Sequence, residues 1–325
     1  MIFLPYTVEL QLNRKPVITI LVCLLCVWVF ISQQASSQRT ITSALQYCST
    51  RHAHGFWLAI EKVTGDRSRD ACAVTLAAIH SSTDPAALIQ KLAGEAAPYQ
   101  SFSPEAGRRY TVRQLTDHYL AFSARASPDL TARLLYDPRT HDPVHMLTAA
   151  VAHGGWGHLI GNLFFFLAFA ATVEVVVGYL AFPLLLIALA LGTGIAYSLW
   201  SSAIADPLPT LGLSGVVMGM IGLFTWFLPT ARIRCLLWLV IWGRTLAVPA
   251  WLLAGWYVGW NIYDLAQSAG QPTGTNFAAH VSGACLGFFF GVLFFRSRRE
   301  RVQADFAGVR ARKRHQQPVL PRRRY

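Results

Sequence analysis

Residues 156–178, with the sequence WGHLIGNLFFFLAFAATVEVVVG, decide the structural class of this protein. This stretch contains one carboxylate, Glu174, and neither lysine nor arginine. A helix of about 20 apolar residues crosses a bilayer core, which is about 30 Å thick. The stretch therefore predicts a transmembrane helix.

The rest of the 325-residue chain has the same character. Hydrophobic residues make up 54% and charged residues only 14%, against about 25% in ordinary soluble domains, and the mean hydropathy is +0.38. These values exclude an ordinary soluble globular protein. Five further apolar runs are long enough to be considered as membrane spans: 16–31, 179–200, 211–228, 246–265 and 277–295. We therefore predict an all-α polytopic membrane protein with six transmembrane helices.

The distribution of basic residues predicts the orientation of these helices. Short cytoplasmic segments collect lysine and arginine. Basic residues occur before residue 16, within 229–244 and after residue 295, whereas 201–210 and 266–276 contain none. We predict cytoplasmic N and C termini and a multi-pass location in a bacterial inner membrane. The apolar run 235–242 is too short to span and is expected at the inner interface.

Five segments follow from this topology. The run 16–31 is followed by SQQASSQ, a poor cleavage site, which favours a signal anchor over a cleaved signal peptide. The predicted division is 1–15 cytoplasmic N-terminus, 16–31 helix 1, 32–143 extracytoplasmic helical insertion, 144–295 core with helices 2–6, and 296–325 cytoplasmic tail.

The insertion contains ten acidic and twelve basic residues. Long translocated segments are exempt from the charge rule, so these basic residues are compatible with an outer location. Helix start signals at 83–85 and 127–129 predict a small helical domain. Cys48 and Cys72 are its cysteines, and in an oxidising compartment they can form a disulfide or remain free.

The net charge of +12 raises nucleic acid as a partner, but the excess is concentrated in one place. The tail 296–325 has eleven basic and two acidic residues. Beside a membrane helix, such a tail is typical of an anchor to anionic lipid headgroups. We expect membrane lipids as a partner and no nucleic acid. The six cysteines of the chain are too scattered for a disulfide scaffold or a zinc ribbon.

Polar residues inside the predicted spans point to function, because burying them in a membrane is costly. Spans two, four and six run in one direction, so residues near their starts share one depth. His158 and Asn162 are four residues apart and lie on one helical face. Ser214 begins span four and His280 lies near the start of span six. His153 precedes two glycines, so its direction is not fixed by the sequence.

Ser214 lies in the sequence Gly-Leu-Ser-Gly, before an apolar helix, where its backbone N–H would be free to stabilise an oxyanion. Small residues recur every four positions on span six, at Ala279, Gly283, Gly287 and Gly291. Span four offers two glycines at the same spacing, Gly215 and Gly219. This spacing lets two helices approach closely and brings His280 toward Ser214. A serine beside a histidine base predicts acyl-transfer chemistry.

Other chemistries fit less well. Glu174 is about 18 Å along the helix from Asn162, so we expect a structural hydrogen-bonding role for it. Asp264 could orient the histidine, but its main expected role is an interfacial cap. A metal site could use His141 and His145 with the other histidines, yet no HExxH motif, cysteine pair or carboxylate accompanies them. The GLSG motif lacks the preceding strand of an α/β-hydrolase.

These residues resemble those of the rhomboid family of intramembrane serine proteases. The matching features are His153-Gly-Gly-Trp-Gly-His158 with Asn162, then Glu174, Gly212-Leu-Ser214-Gly215, and Ala279-His280-Val-Ser-Gly283 with Gly287. The resemblance implies a six-helix rhomboid-like bundle. It implies Ser214 as nucleophile, His280 as general base, His158 and Asn162 with the Ser214 N–H as oxyanion hole, and His153 lining the cavity. Glu174, Gly212, Gly215, Gly283 and Gly287 would be structural.

Two features depart from the family pattern. Some members have an aromatic residue four positions after the serine, where this chain has Met218. The 32–143 insertion is also longer than the first outer loop of minimal members.

The prediction for function is a serine endopeptidase that cleaves transmembrane helices of other proteins near the outer membrane face, without metal or other cofactor. An inactive relative that binds transmembrane helices is the alternative. A transporter is disfavoured, because the polar residues cluster near one face and no inverted repeat is evident.

Overall fold

The computed structural model describes residues 2–8, 15–204, 206–239, 242–268 and 274–315. The chain divides into two units. The membrane unit comprises Met1–Val27 and Tyr136–Tyr325, and the insertion unit comprises Trp28–Leu135. The helices are α1 Val17–Cys48, α2 His54–Thr64, α3 Arg69–His80, α4 Pro85–Glu95, α5 Pro104–Ser123, α6 Leu130–Leu134, α7 Pro143–Val151, α8 Trp156–Val177, α9 Ala181–Ser201, α10 Ser214–Phe227, α11 Ala250–Gln267, α12 Phe277–Phe294 and α13 Arg296–His315.

A helix forms within each of the six predicted spans. Among the described residues, four helices are long and apolar enough to cross a membrane, namely α1, α8, α9 and α12. The chain is thus an integral membrane protein. α10 is apolar but has only 14 residues, and α11 is not among the four. The count of six spans therefore stays a prediction. The first apolar run is the beginning of a longer helix, because α1 continues to Cys48.

The prediction of an all-α protein is wrong in one respect. Three antiparallel strands form a sheet in the order β1 Ile2–Val8, β2 Arg232–Leu239 and β3 Trp242–Pro249. The physical reason is an alternating pattern at the start of β2, where Ile233 and Cys235 are buried while Arg232 and Arg234 are exposed. The predicted interfacial run 235–242 mostly belongs to this hairpin, and residues 240 and 241 lie outside the described residues.

The membrane unit is built around α10. Most residues of this helix are buried, from Gly215 to Phe227. Its neighbours are α8, α9, α11 and α12. A helix enclosed on all sides is hydrophobic all round, which explains why α10 shows no polar face.

The insertion unit is helical, and the two predicted start signals are confirmed. Asp84 caps α4 and Asp129 caps α6, each by accepting a backbone N–H bond. A disulfide between Cys48 and Cys72, with Cα atoms 6.1 Å apart, lies in a core that includes Phe56 and Leu115. The pairing that the sequence left open is thus formed.

Candidate active site

Ser214 is the first residue of α10. The preceding loop is fixed by backbone hydrogen bonds, since Tyr136 and Thr210 bond to each other in both directions and the Gly212 N–H donates to the Ala149 carbonyl over 2.8 Å. The residue before the helix, Leu213, provides no side-chain cap. The first backbone N–H groups of a helix lack intrahelical acceptors, so α10 presents free donors beside the Ser214 hydroxyl.

Gly212 is required for this loop on two grounds. Its φ angle of +121° is one that side-chain-bearing residues rarely adopt. A Cβ atom at this position would also lie 2.6 Å from the His158 ring and 3.7 Å from the Asn162 amide nitrogen. The His158 ring and the Asn162 amide therefore lie against the loop that presents Ser214.

His280 lies one turn into α12. Asn276 caps this helix by accepting the Ala279 N–H over 2.9 Å, and its amide nitrogen donates to the Thr210 hydroxyl over 3.2 Å. Since Thr210 is in the loop before α10, one side chain links the starts of the two helices that carry Ser214 and His280.

Glycines bring α10 and α12 into backbone contact, as their spacing predicts. A Cβ added to Gly283 would overlap the carbonyl oxygen of Gly215, and one added to Gly287 would overlap that of Gly219. Gly215 follows Ser214 directly, and Gly283 lies one turn after His280. The close helix approach that the sequence predicts is therefore confirmed next to both residues.

His158 and Asn162 lie on α8, one turn apart. The Gly154 N–H donates to Nδ1 of His158 over 3.4 Å, which leaves Nε2 as the protonated nitrogen of the neutral ring. His158 is exposed, whereas Asn162 is buried. Among the described residues, the Asn162 amide nitrogen has no hydrogen-bond partner. Buried donors are usually paired, so this one has unused capacity next to Gly212.

His153 precedes α8 and is buried. Its ring lies edge-on to that of His158, with centroids 5.2 Å apart, and Nδ1 is 3.2 Å from the Val151 carbonyl. Burial, with a smaller effect of His158, lowers the pKa of His153 to about 4. His153 is therefore neutral near pH 7.

Glu174 lies at the other end of α8 and is fully buried. It accepts hydrogen bonds from the Ile18 N–H over 2.9 Å, and from the Thr19 N–H and hydroxyl over 2.7 Å each. A carboxylate at the N-terminus of α1 accepts hydrogen bonds from N–H groups that have no acceptor within the helix. Its negative charge also interacts favourably with the positive end of the helix dipole. Glu174 thus connects α8 to the start of α1.

Asn261 on α11 is the residue that the sequence reasoning did not identify. Its side-chain oxygen lies 2.6 Å from Nδ1 of His280. The sequence did contain a signal, an asparagine between the aromatic residues Trp260 and Tyr263 in a predicted span. Asp264, a possible orienting residue whose main expected role is an interfacial cap, lies three residues further along α11. Met218, the departure from the family pattern, is buried within α10.

A small cavity of about 40 Å³ adjoins Ser214. Its walls are mostly apolar or small, and include Met146, Ala149, Ala190 and Gly194. A space of this size can hold a small group beside the serine.

Residues 140–297 match the family model described as Rhomboid domain. A segment of 171 residues is 27% identical to Rhomboid protein 1, mitochondrial, of Saccharomyces cerevisiae. It covers 50% of this chain and 46% of that relative, so the match spans about half of the relative's length. No solved structure matches. Over residues 140–297, the chain is thus similar to rhomboid domains.

Proposed function

We propose that the protein is an intramembrane serine endopeptidase with Ser214 as nucleophile and His280 as general base. The observation that carries the proposal is the backbone contact of α10 and α12 at Gly215 and Gly283, adjacent to these two residues. Serine needs a neighbouring base to become nucleophilic, and two helices in backbone contact can hold the pair in a fixed geometry.

The proposed oxyanion hole consists of three donors. The Ser214 N–H at the start of α10 has no side-chain cap in competition with it. Nε2–H of His158 and the amide of Asn162 lie against Gly212, two residues earlier. Donors that are fixed before the reaction stabilise the developing negative charge without reorganisation.

The proposed reaction has two stages. Nε2 of His280 removes the hydroxyl proton as Ser214 Oγ attacks the substrate carbonyl, and the C–N bond then breaks while the imidazolium gives that proton to the leaving amine. Water attacks the resulting ester with His280 again as base, which releases the acid and restores Ser214. The acyl-enzyme thus needs no metal or other cofactor.

The proposed substrates are transmembrane helices of other proteins, cleaved near the outer membrane face. A helix hides its carbonyls, so the scissile region has to unwind, which favours glycine, alanine and other weak-helix residues. The proposed bundle has six spans with both termini in the cytoplasm of a bacterium and residues 32–143 outside. The predicted division of the chain into five segments is part of the same proposal.

The basic tail is proposed to contact anionic lipid headgroups. α13 continues directly from α12 and begins with Arg296. Two of its arginines contact the bundle, as Arg298 donates to the Val176 carbonyl over 2.9 Å and Arg299 stacks over Trp226. A helix held at this position would bring its exposed residues Arg296 and Arg301 close to the membrane surface.

Substitution of the two reactive residues tests the proposal. With a single-pass substrate in detergent, Ser214→Ala and His280→Ala are each expected to reduce the cleavage rate at least about 1,000-fold, because neither residue can act alone. Ser282→Ala removes a neighbouring hydroxyl on α12 that bonds to the Ala279 carbonyl, and should leave the rate unchanged.

A fluorophosphonate probe separates this proposal from the alternative of an inactive helix-binding relative. The intact protein should be labelled at Ser214, and the Ser214→Ala variant should not. If cleavage persists in both single variants, the mechanism is wrong. If the folded wild-type protein neither cleaves nor reacts with the probe, the inactive alternative is supported.

A further inference from the structure

α11 presents one amide to α12 amid aromatic residues that face outward. Trp256, Trp260, Ile262 and Tyr263 are about half exposed, as expected for the lipid-facing side of a membrane helix. Asn261 is less exposed, and its Oδ1 atom lies 2.6 Å from Nδ1 of His280. A polar side chain in such a helix is costly unless it is paired, and this one is paired with the residue proposed as the base.

The second hydrogen bond of Asn261 fixes the direction of its amide. Nδ2 donates to the Tyr257 carbonyl oxygen over 2.8 Å. If the amide were rotated by 180°, its oxygen would face that carbonyl oxygen, and two acceptors would be opposed. The amide oxygen therefore faces His280.

This direction determines the tautomer of the histidine. An amide oxygen only accepts, so Nδ1 of His280 has to carry the proton that is donated. In the neutral ring the other nitrogen, Nε2, then carries the lone pair. That nitrogen is the one that has to accept the proton of the serine hydroxyl.

We propose that Asn261 is a positioning residue that holds His280 in its Nδ1–H tautomer and fixes the ring orientation, a neutral counterpart of the acid in a Ser-His-Asp triad. This inference rests on the proposed protease function. An amide suits this place, because it directs the ring as a carboxylate would, without burying a charge.

Two substitutions of Asn261 separate positioning from packing. Asn261→Leu keeps the size of the side chain but removes both hydrogen bonds. We expect the cleavage rate at saturating substrate to fall about 10- to 100-fold while KM changes less than about twofold, because substrate binding does not use this amide. Gln267→Leu is the matched control, since it removes an exposed amide of α11 that bonds Tyr263 and should leave both parameters unchanged.

Asn261→Asp tests positioning through the pH–rate profile, which a purely structural role of Asn261 would leave unchanged. The introduced carboxylate can accept the same Nδ1–H bond, but its second oxygen would face the Tyr257 carbonyl oxygen, so the rate should fall by less than in Asn261→Leu without remaining at the wild-type value. A negative charge next to the ring favours the imidazolium, so the acid limb of the pH–rate profile should move to higher pH by about one unit. Initial rates from pH 5 to pH 9 with the same single-pass substrate measure this shift.

The outcomes distinguish this inference from the protease proposal. If Ser214→Ala still cleaves, the proposed function fails. If Ser214→Ala is inactive but Asn261→Leu cleaves at the wild-type rate, only the role of Asn261 is overturned. An Asn261→Asp profile with an unshifted acid limb also overturns it, and this variant decides the matter if Asn261→Leu does not fold.

Discussion

The helices within the membrane unit and the helices within the insertion unit are stabilised by different kinds of contact. In the membrane unit, α10 and α12 meet through glycines with backbone against backbone, and α8, α9, α10 and α11 begin without side-chain caps. In the insertion unit, α3 to α6 each begin with a serine or aspartate cap, and a disulfide joins Cys48 to Cys72. Small residues form the central helix contact of the membrane unit, where side-chain caps occur at α7 and α12, whereas the insertion unit combines four capped helices with a disulfide.

The difference follows from what surrounds each helix. Helices gain little from apolar burial within a bilayer, where close van der Waals contact has to hold them together. The insertion unit is charged and helical and has a core of only moderate size. Its helix caps and its disulfide add to the stability that this core provides. The uncapped start of α10 has a further consequence, because its N–H groups stay available next to Ser214.

The largest effect is expected when alanine replaces a glycine at the contact between α10 and α12. In Gly287→Ala, the new Cβ would overlap the carbonyl oxygen of Gly219 and lie 2.8 Å from its Cα atom, so the two backbones would have to separate. We expect a loss of at least about 4 kcal/mol in the free energy of unfolding and a loss of cleavage. Thermal unfolding in detergent and the substrate assay measure the two effects.

The matched substitution is Gly259→Ala on α11, where an added Cβ would meet no described atom within 4 Å. Because alanine is the better helix former, this variant should be as stable as the wild type or slightly more stable. Equal effects of Gly287→Ala and Gly259→Ala would show that the backbone contact does not hold the membrane unit together.

Local patterns allowed much of this unit to be predicted. The four-residue spacing of glycines on α12 is a property of one helix, and so is the pairing of His158 with Asn162 on one face of α8. The start of α10 at Ser214 follows from the change from loop to apolar run. Each of these features is specified by neighbouring residues in the chain.

The features that the sequence did not predict depend on distant parts of the chain. The sheet pairs residues 2–8 with residues 232–239, and no periodicity within either segment indicates its partner. The contact of Asn261 with His280 depends on the rotation of α11 about its axis, which its neighbours determine. The sequence offered Asp264, one turn away, as a minor orienting candidate and gave no means of deciding which residue of α11 faces His280.

Removal of the disulfide should have an intermediate effect that is limited to the insertion unit. Cys48 and Cys72 are 24 residues apart in the chain, and a cross-link over such a loop contributes about 3 kcal/mol. In a Cys48→Ser, Cys72→Ser double variant, we expect faster amide hydrogen exchange in α2, α3 and α5 and unchanged probe labelling of Ser214. Cys285→Ser, which removes an exposed free cysteine, is the control. Slower labelling of Ser214 in the double variant alone would contradict independence of the two units.

The smallest effect is expected from a single helix cap. Asp84 accepts the Ala87 N–H over 2.9 Å at the start of α4, so Asp84→Ala should destabilise that helix by about 1 kcal/mol. Asp70→Ala removes an aspartate of the same charge from the first turn of α3, where it forms an exposed ion pair with Arg69, and should cost less than about 0.5 kcal/mol. Amide hydrogen exchange of the α3 and α4 peptides compares the two variants. If both aspartates have the same effect, charge near the helix start stabilises this unit, and the hydrogen bond of the cap does not.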